Sequence, residues 1–525
     1  MQPVRKLPLA LALSATLAMS AWAQDRGAII GRVMDPSSAV VAGAAITVTN
    51  QETGVKVSTE TNDAGNYAVR SLPFGSYEIT AEAKGFRKLI RKDASLNIGQ
   101  TLTLDLSLEL GAVDQSVEVT AAAPLVDSST SDLGTVVDQK QVRDLPVSVN
   151  GNMRNPESFV FLAPGVTGDT ANTEINGSQD RAKEVLVDGA QSTGPESGGT
   201  MFTYPPIESI GEFKLEAANF SAEYGKTGGG FEVFTTKSGT NRFHGSLFEY
   251  LRNDKLDARG FISPITPINR QNEFGAALGG PVILPKYNGK NRTFFHFVYD
   301  GFRYRAGATN QLLTLPNAAQ RNGDFSGLTK AGAALQIYDP ASTRSDGAGG
   351  FTRDVFPNAR IPVTRFSKVS AAMLPMLPAA NTAASTANYT ATGAQRFDRN
   401  VFTIKGDHSF SDKSRVSLFA YISNESSIAP ALIEGAMSPA LNQQRPARWG
   451  RFNWDYQLSP TTINNFRTGY TREPQIWFRT TSDQGLLQKV GLAGVNPPGD
   501  IIPRVQFADT YQNWSDETKN KGTQV

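Results

Sequence analysis

Apolar residues recur at every second position through much of this chain, and what they alternate with changes along it. A period of two marks a strand whose two faces see different surroundings. Leu102, Leu104, Leu106, Leu108 and Leu110 alternate without a break, which predicts one half-buried strand. Ahead of them come shorter runs punctuated by turns: Ala28 to Met34, Ala45 to Asn50, Val55 to Thr61, Tyr67 to Val69 and Tyr77 to Ala83. About seven strands in so short a span predict a β-sandwich over 24–111. The basic cluster Arg87, Lys88, Arg91 and Lys92 reads as a solvated loop.

From 128 to 240 the periods mix, which predicts a small α+β unit. Gly134 to Gln139, Val185 to Val187, Glu212 to Glu216 and Phe231 to Thr235 read as strands. Pro156 to Leu162 and Pro206 to Ile210 read as short helices, the first with proline in its first turn. Beyond 241 the strands lengthen and turn aromatic. Phe452, Trp454, Tyr456 and Leu458 oppose Arg451, Asn453, Asp455 and Gln457. Phe402 and Ile404 oppose Thr403, Lys405 and Asp407, and Phe466 and Tyr470 oppose Asn465 and Arg467. Phe243 to Arg252, Glu273 to Leu284, Thr293 to Arg303 and Arg415 to Asn424 complete a set of about seven. Aromatic faces set against charged and amide faces, with long loops between, predict an antiparallel transmembrane β-barrel; a soluble sandwich gives the same alternation.

The N-terminus reads as a secretory signal peptide over 1–23. Arg5 and Lys6 precede the apolar run Leu7 to Met19, and Ala21-Trp22-Ala23 is a cleavage signal. No later stretch is long and apolar enough for a spanning helix, so any membrane passage falls to strands.

Composition narrows the chemistry. The chain has 51 basic and 49 acidic residues, a net charge of +2, so nothing pulls it towards nucleic acid. It has no cysteine, which excludes disulfides and thiolate metal sites. His244, His296 and His408 are far apart in sequence and show no ligand spacing. Gly225-Lys226-Thr227 ends like a phosphate-binding loop, but Phe220 stands where its first glycine belongs and a glycine run and strand follow. Glu208, Glu212, Glu216 and Glu223 read as solvated faces of a helix and a strand, without a partner base or metal ligand. No cofactor and no enzymatic activity are expected.

Several words of the sequence resemble known families. Gly31 to Asp35, Gly43 to Val48, Thr61 to Tyr67, Pro73 to Ile79 and Gly85-Phe86 appear in the order seen in the carboxypeptidase regulatory-like domain, a transthyretin-like sandwich. Asp144 to Pro146, P-G-V, N-G-S, V-D-G (Asp188, Gly189), I-G-E-F, S-A-E-Y-G (Glu223, Tyr224, Gly225) and K-S-G-T-N (Lys237, Ser238, Gly239) resemble the plug of TonB-dependent outer-membrane receptors, specifically the Oar-like group. F-G-A-A-L-G-G-P-V-I-L from Phe274 resembles a barrel strand of that group, and the run from Ala306 to Asn400 one of its long extracellular loops.

The resemblance implies an order of parts: sandwich 24–111 in the periplasm, a linker 112–127, a plug 128–240 and a partial outer-membrane barrel 241–525. Within the linker, Val117, Glu118, Val119, Thr120 and Ala121 form a β-prone run stopped by Pro124. It reads either as a last strand of the sandwich, as an ordinary linker, or as a TonB box, an extended segment that adds as a strand to TonB. The implied partners are TonB with its inner-membrane energising complex, outer-membrane lipid, and an extracellular ligand such as a siderophore, glycan, peptide or protein. A different class fits the same pattern: a surface or periplasmic carbohydrate- or protein-binding or adhesion protein without transport. About seven strands fall short of the about 22 of a plugged transporter, and the polar run from Lys519 to Val525 offers no aromatic closing strand. The expectation is an apparently truncated barrel.

Overall fold

The computed structural model describes residues 26–111, 116–120, 133–145, 147, 153–170, 172–194, 201, 203–218, 220, 225, 227–261, 266–307, 311–330, 332–384, 386–391, 393–429, 431, 433, 435, 437, 440–459, 462–481, 484–492, 494 and 521–524. The segment 1–23, Ala121, Glu223 and Tyr224 lie outside them. The chain is mainly β, as its periodicity predicts, and the described strands form three principal bodies.

The first body is a sandwich of two sheets. Asn66–Leu72, Gly27–Met34 and Thr101–Thr103 form one sheet, with Leu106–Ser107 also pairing to Gly27–Met34. Lys56–Glu60, Ala45–Asn50, Gly75–Glu82, Lys88–Leu96 and Ser116–Thr120 form the other. Ile29, Val33, Ile46, Val48, Ile79 and Leu96 pack between them. The leucine run does bury Leu102, Leu104, Leu106 and Leu108, but not as one strand, and Leu110 is 69% exposed. Its ladder is interrupted at Asp105, whose carboxylate accepts the Arg32 amide at 2.8 Å. The basic cluster is corrected from loop to strand. Lys88–Leu96 pairs with Gly75–Glu82, and Lys88 and Lys92 bridge Glu82 and Glu118, each at 2.7 Å. A register shift near Ile79 and the left-handed Asp93 (φ 60°) break the alternation that would have revealed it.

The second body is a five-stranded sheet in the order Leu133–Val137, Ile210–Ala218, Gly230–Thr236, Lys183–Val187 and Ala190–Gln191. Gly230–Thr236 runs parallel to Lys183–Val187, and the remaining pairs are antiparallel. Every residue of these two central strands is buried. The 3-10 turns Pro156–Leu162 and Ile207–Ser209 stand where short helices were predicted. A helix not predicted, Gln139–Asp144, follows Leu133–Val137 and is capped reciprocally by Asp138 and Gln141.

The third body is a nine-stranded antiparallel sheet, about three times the usual strand length in places. Its order is His244–Asn253, Asn269–Pro281, Thr293–Gly307, Ala394–Ser411, Ser414–Ala429, Leu441–Ser459, Gln475–Arg479 and Lys521–Gln524, with Thr462–Arg472 also pairing to Leu441–Ser459. All seven predicted strands are present. Gln475–Arg479 and the polar Lys521–Gln524 are additional. Among the described residues the two ends of the sheet do not pair, so the barrel is not closed.

The faces of this sheet invert the order of a soluble protein. Ile404 is 52% exposed and Leu247 87% exposed, while the adjacent Lys405 is 4% exposed. Arg451, Asn453 and Asp455 are buried opposite the outward Trp454 and Leu458. The inward, polar face is covered by the second body. Among the described residues no helix is long and apolar enough to cross a membrane, which leaves strands free to do so.

The loops at one end of the sheet are not merely polar connections. Leu313, Leu315, Met373, Leu377, Tyr389, Ile433, Met437 and Leu486 form a separate apolar core. Asn388 ties this unit together, accepting the Leu315 amide at 2.8 Å and donating to its carbonyl at 2.9 Å.

Candidate functional site

The site is the seam where the five-stranded body meets the polar face of the nine-stranded sheet. V-D-G lies at its centre. Lys183–Val187 ends at Asp188, which is left-handed (φ 48°), and Gly189 follows (φ 76°). This turn aims the Asp188 carboxylate back at the neighbouring strand end, where it accepts the Thr236 amide at 2.9 Å and the Thr236 hydroxyl at 2.5 Å. Lys405 reaches in from the sheet, donating to the Thr236 carbonyl at 2.9 Å, with its ammonium 3.4 Å from Asp188. Asn453 donates to the Asp188 carbonyl at 3.2 Å, and Arg451 to the Ser192 hydroxyl at 2.8 Å. Wall and inner body are thus joined here through directional polar contacts, beside an apolar cluster in which Phe302, Val401, Phe419 and Trp449 of the sheet pack with Phe159, Ile207 and Phe213 of the inner body.

Two further clamps flank this joint. Arg154 donates to Glu273 of the sheet at 2.8 Å and to Glu208 of its own body at 2.8 Å, with Tyr250 beneath its guanidinium at 4.0 Å. Arg399 of the sheet donates to the Tyr204 carbonyl at 2.6 Å and lies over the Tyr204 ring. Glu473 receives both Trp449 and the Thr203 hydroxyl.

K-S-G-T-N supplies the third side. The Lys237 amide donates to the Ser209 carbonyl at 2.8 Å. Gly239 permits close approach: a Cβ there would stand 2.3 Å from the Phe295 carbonyl and 2.6 Å from that of Gly280. Ser238 lies between them, half-buried. Asn241 then donates to the Thr53 carbonyl of the sandwich at 2.6 Å. A cavity of about 810 Å³ lies where the three bodies meet, lined among others by Tyr77, Arg143, Lys237, His296 and Arg415. Burial pushes the Lys237 ammonium down, and it makes no ion pair among the described residues.

The structure therefore brings Asp188, Gly189, Lys237, Ser238 and Gly239 to the seam. It leaves Gly225 exposed and apart, and sets Val117, Glu118, Val119 and Thr120 on the sandwich as its edge strand. The reading of the glutamates as solvated faces is corrected. Glu208 is clamped by Arg154, Glu216 is buried beside Lys214 at 2.7 Å, and Glu212 is buried against the sandwich. Glu212 accepts the Ile98 amide at 2.7 Å, and burial pushes its carboxyl up to about 8. Their spacing suited an exposed strand face, but sheet partners and the sandwich cover both sides. Inside the inner body Lys183 stands 2.6 Å from Glu232 and 3.7 Å from Glu157, and burial pushes both carboxyls up against its pull. His244 and His296, remote in sequence, stack at 6.3 Å across strands. Among the described residues no three His, Asp or Glu side chains assemble that could hold a metal.

Sequence reasoning missed Arg154, Glu273, Arg399 and Ile98 as contributors. The available signal was weak: charged residues on the polar faces of strands, without any indication of what covers them.

An apolar exterior, a polar interior and a folded domain seated against that interior define a membrane β-barrel protein with an internal domain. Residues 235–524, more than half of the chain, match the family described as outer membrane beta barrel domain, and the chain belongs to that family. Residues 28–109 match the carboxypeptidase regulatory-like domain. The chain is 28% identical over 296 residues to the TonB-dependent transporter Oar of Myxococcus xanthus, a match covering 54% of this chain and 28% of that protein. It thus spans less than a third of that relative. The outer membrane transporter YddB from Escherichia coli aligns over 66% of this chain and 40% of its own, at 11% identity and a TM-score of 0.41. Hydroxyquinol 1,2-dioxygenase from Pseudomonas putida aligns over 18% of this chain and 59% of its own, at 11% identity and a TM-score of 0.15. At such scores neither alignment carries an argument about this chain.

Proposed function

We propose that the chain serves an outer-membrane transporter of the TonB-dependent kind. In this reading 1–23 directs export, the sandwich lies in the periplasm, the five-stranded body is the plug, and the outward apolar side chains meet outer-membrane lipid. Residues 117–121 are the segment that TonB engages, energised from the inner membrane. The ligand is extracellular, and its class stays open among siderophore, glycan, peptide and protein. No covalent chemistry is involved.

The observation that carries this reading is the inversion of the nine-stranded sheet together with the body seated on its polar face. A barrel wall whose interior is occupied by a folded domain offers no standing pore. Passage then requires that domain to shift, and the work must come from a partner. The similarity to the TonB-dependent transporter Oar supports TonB as that partner. The test uses the periplasmic domain of TonB as probe. The chain, inserted in outer membranes, is expected to bind it, and deletion of 113–121 to abolish binding without loss of insertion. Unchanged binding after the deletion would remove 117–121 from the role.

The separately cored loop unit favours a second reading, a surface binding or adhesion protein for a carbohydrate or protein without transport. Intact surface exposure of that unit with no TonB binding by either form would select it.

A further inference from the structure

The five-stranded sheet of the sandwich ends in Ser116–Thr120, which runs parallel to Lys88–Leu96 with Leu89 opposite Val117 and Ile90 opposite Glu118. Lys92 and Glu118 meet on one face at 2.7 Å. Beyond this strand the sheet has no further member among the described residues, so its outer row of amides and carbonyls has no strand partner among them. An open strand edge is a template for another chain. The opposite edge of the same sheet differs. There, Val55 and Val57, at and beside the edge strand Lys56–Glu60, line a small crevice with Ser411, Lys413 and Arg415 of the barrel sheet. One edge is turned to the barrel; the other carries no further strand among the described residues.

We propose that the sandwich is a presentation platform: it holds Ser116–Thr120 extended, and the periplasmic domain of TonB adds its own strand to the outer edge without displacing the segment. This rests on the reading of 117–121 as the TonB-engaging segment and goes beyond it, by assigning a docking surface and a role to the sandwich. The physical gain is preorganisation. A free linker must lose backbone freedom when it is captured, whereas a strand already paired on one side has lost most of it. The pull exerted by TonB would then load Lys88–Leu96 and the sandwich as well as the plug.

The absence of native cysteine makes the test direct. Ile90→Cys/Glu118→Cys places two thiols on facing positions of the observed register, and any intramolecular disulfide must join them. Leu89→Cys/Val117→Cys, on the other face, is a second lock should the first variant fold poorly. Binding of the TonB periplasmic domain is measured for the full chain, oxidised, reduced and wild type. The expected result is a disulfide that forms readily, with the locked chain binding TonB at least as tightly as the same variant reduced. Three results overturn the proposal, and they differ in what else they remove. If neither lock forms, the strand is not held on the sandwich, and TonB binding by wild type still stands. If locking abolishes binding and reduction restores it, the segment must leave the sandwich to be captured. If the locks form but no form of the chain binds TonB, the TonB reading itself fails while the strand placement stands.

Discussion

Lys405 and Asp188 illustrate at the residue scale how a short motif is given a job by a distant strand. The Asp188 carboxylate is already served by Thr236, and Lys405 arrives from over two hundred positions along the chain to complete the joint. Removing one member of a buried charged pair costs about 3–5 kcal/mol, because the remaining charge keeps its desolvation cost without its partner. Lys405→Met is therefore expected to loosen the inner body, measured as faster proteolysis within 183–236 at unchanged membrane insertion. Asp188→Asn added to it should recover much of the loss, since the amide oxygen still accepts from Thr236 and no charge is stranded. A double-mutant cycle in denaturant reads the coupling between the two. V-D-G was legible as a motif word, and its turn could be read from the glycine. Lys405 as its partner was not: a lysine on the polar face of a strand looks the same whether water or another domain covers it.

At the scale of elements, the long strands were well read from their period alone. Their two faces carry side chains of such different polarity that a slip of one residue would exchange every environment. Phe402 and Ile404 point outward and Thr403 and Lys405 inward, as the alternation in Ala394–Ser411 predicts. Ile404→Arg is expected to cost about 2–4 kcal/mol if the position lies at the membrane midplane, falling to about 0–1 near an interface. Refolding into lipid vesicles with a urea titration measures it. Thr403→Val, on the inward face, tests the contrast and should leave insertion into lipid unaffected. Elements were lost where local irregularity erased the period. Lys88–Leu96 was hidden by its bulge, and the helix Gln139–Asp144 by its brevity, although Asp138 and Gln141 spell a capping box in hindsight.

For the molecule as a whole, the question is how the sandwich sits on the rest. Ile98, at the turn after Lys88–Leu96, is buried among Leu186, Phe231 and Val233 of the inner body. Its amide donates to Glu212, and Arg415 of the barrel sheet donates to the Ser71 carbonyl. The sandwich is therefore bound to both other bodies. Burial holds the Glu212 proton up to about pH 8, against 4.5 for the ordinary carboxyl. Between those values the docked state binds more protons than the undocked one. Docking is then strongest at low pH and weakens as pH rises through this window. Hydrogen exchange at 97–100, corrected for its intrinsic pH dependence, should show protection falling from pH 5 to pH 9. Glu212→Gln, which keeps an acceptor and removes the charge, should flatten that fall. A fall that persists in Glu212→Gln would place the titrating group elsewhere.

What the sequence determined by itself was the kind of element wherever the period runs unbroken, and the class of protein those elements build. Period, turn residues and motif order are local properties, carried by neighbours in the chain, and they identified a sandwich, a mixed body and long inverted strands. Which residues touch across those bodies was decided only by the tertiary structure. The pairing of Lys405 with Asp188, the clamp of Arg154 on Glu273, the burial of Glu212 and the seating of Ile98 each join segments remote in sequence. A charged side chain carries no local mark of what will cover it, because burial is a property of packing and not of composition.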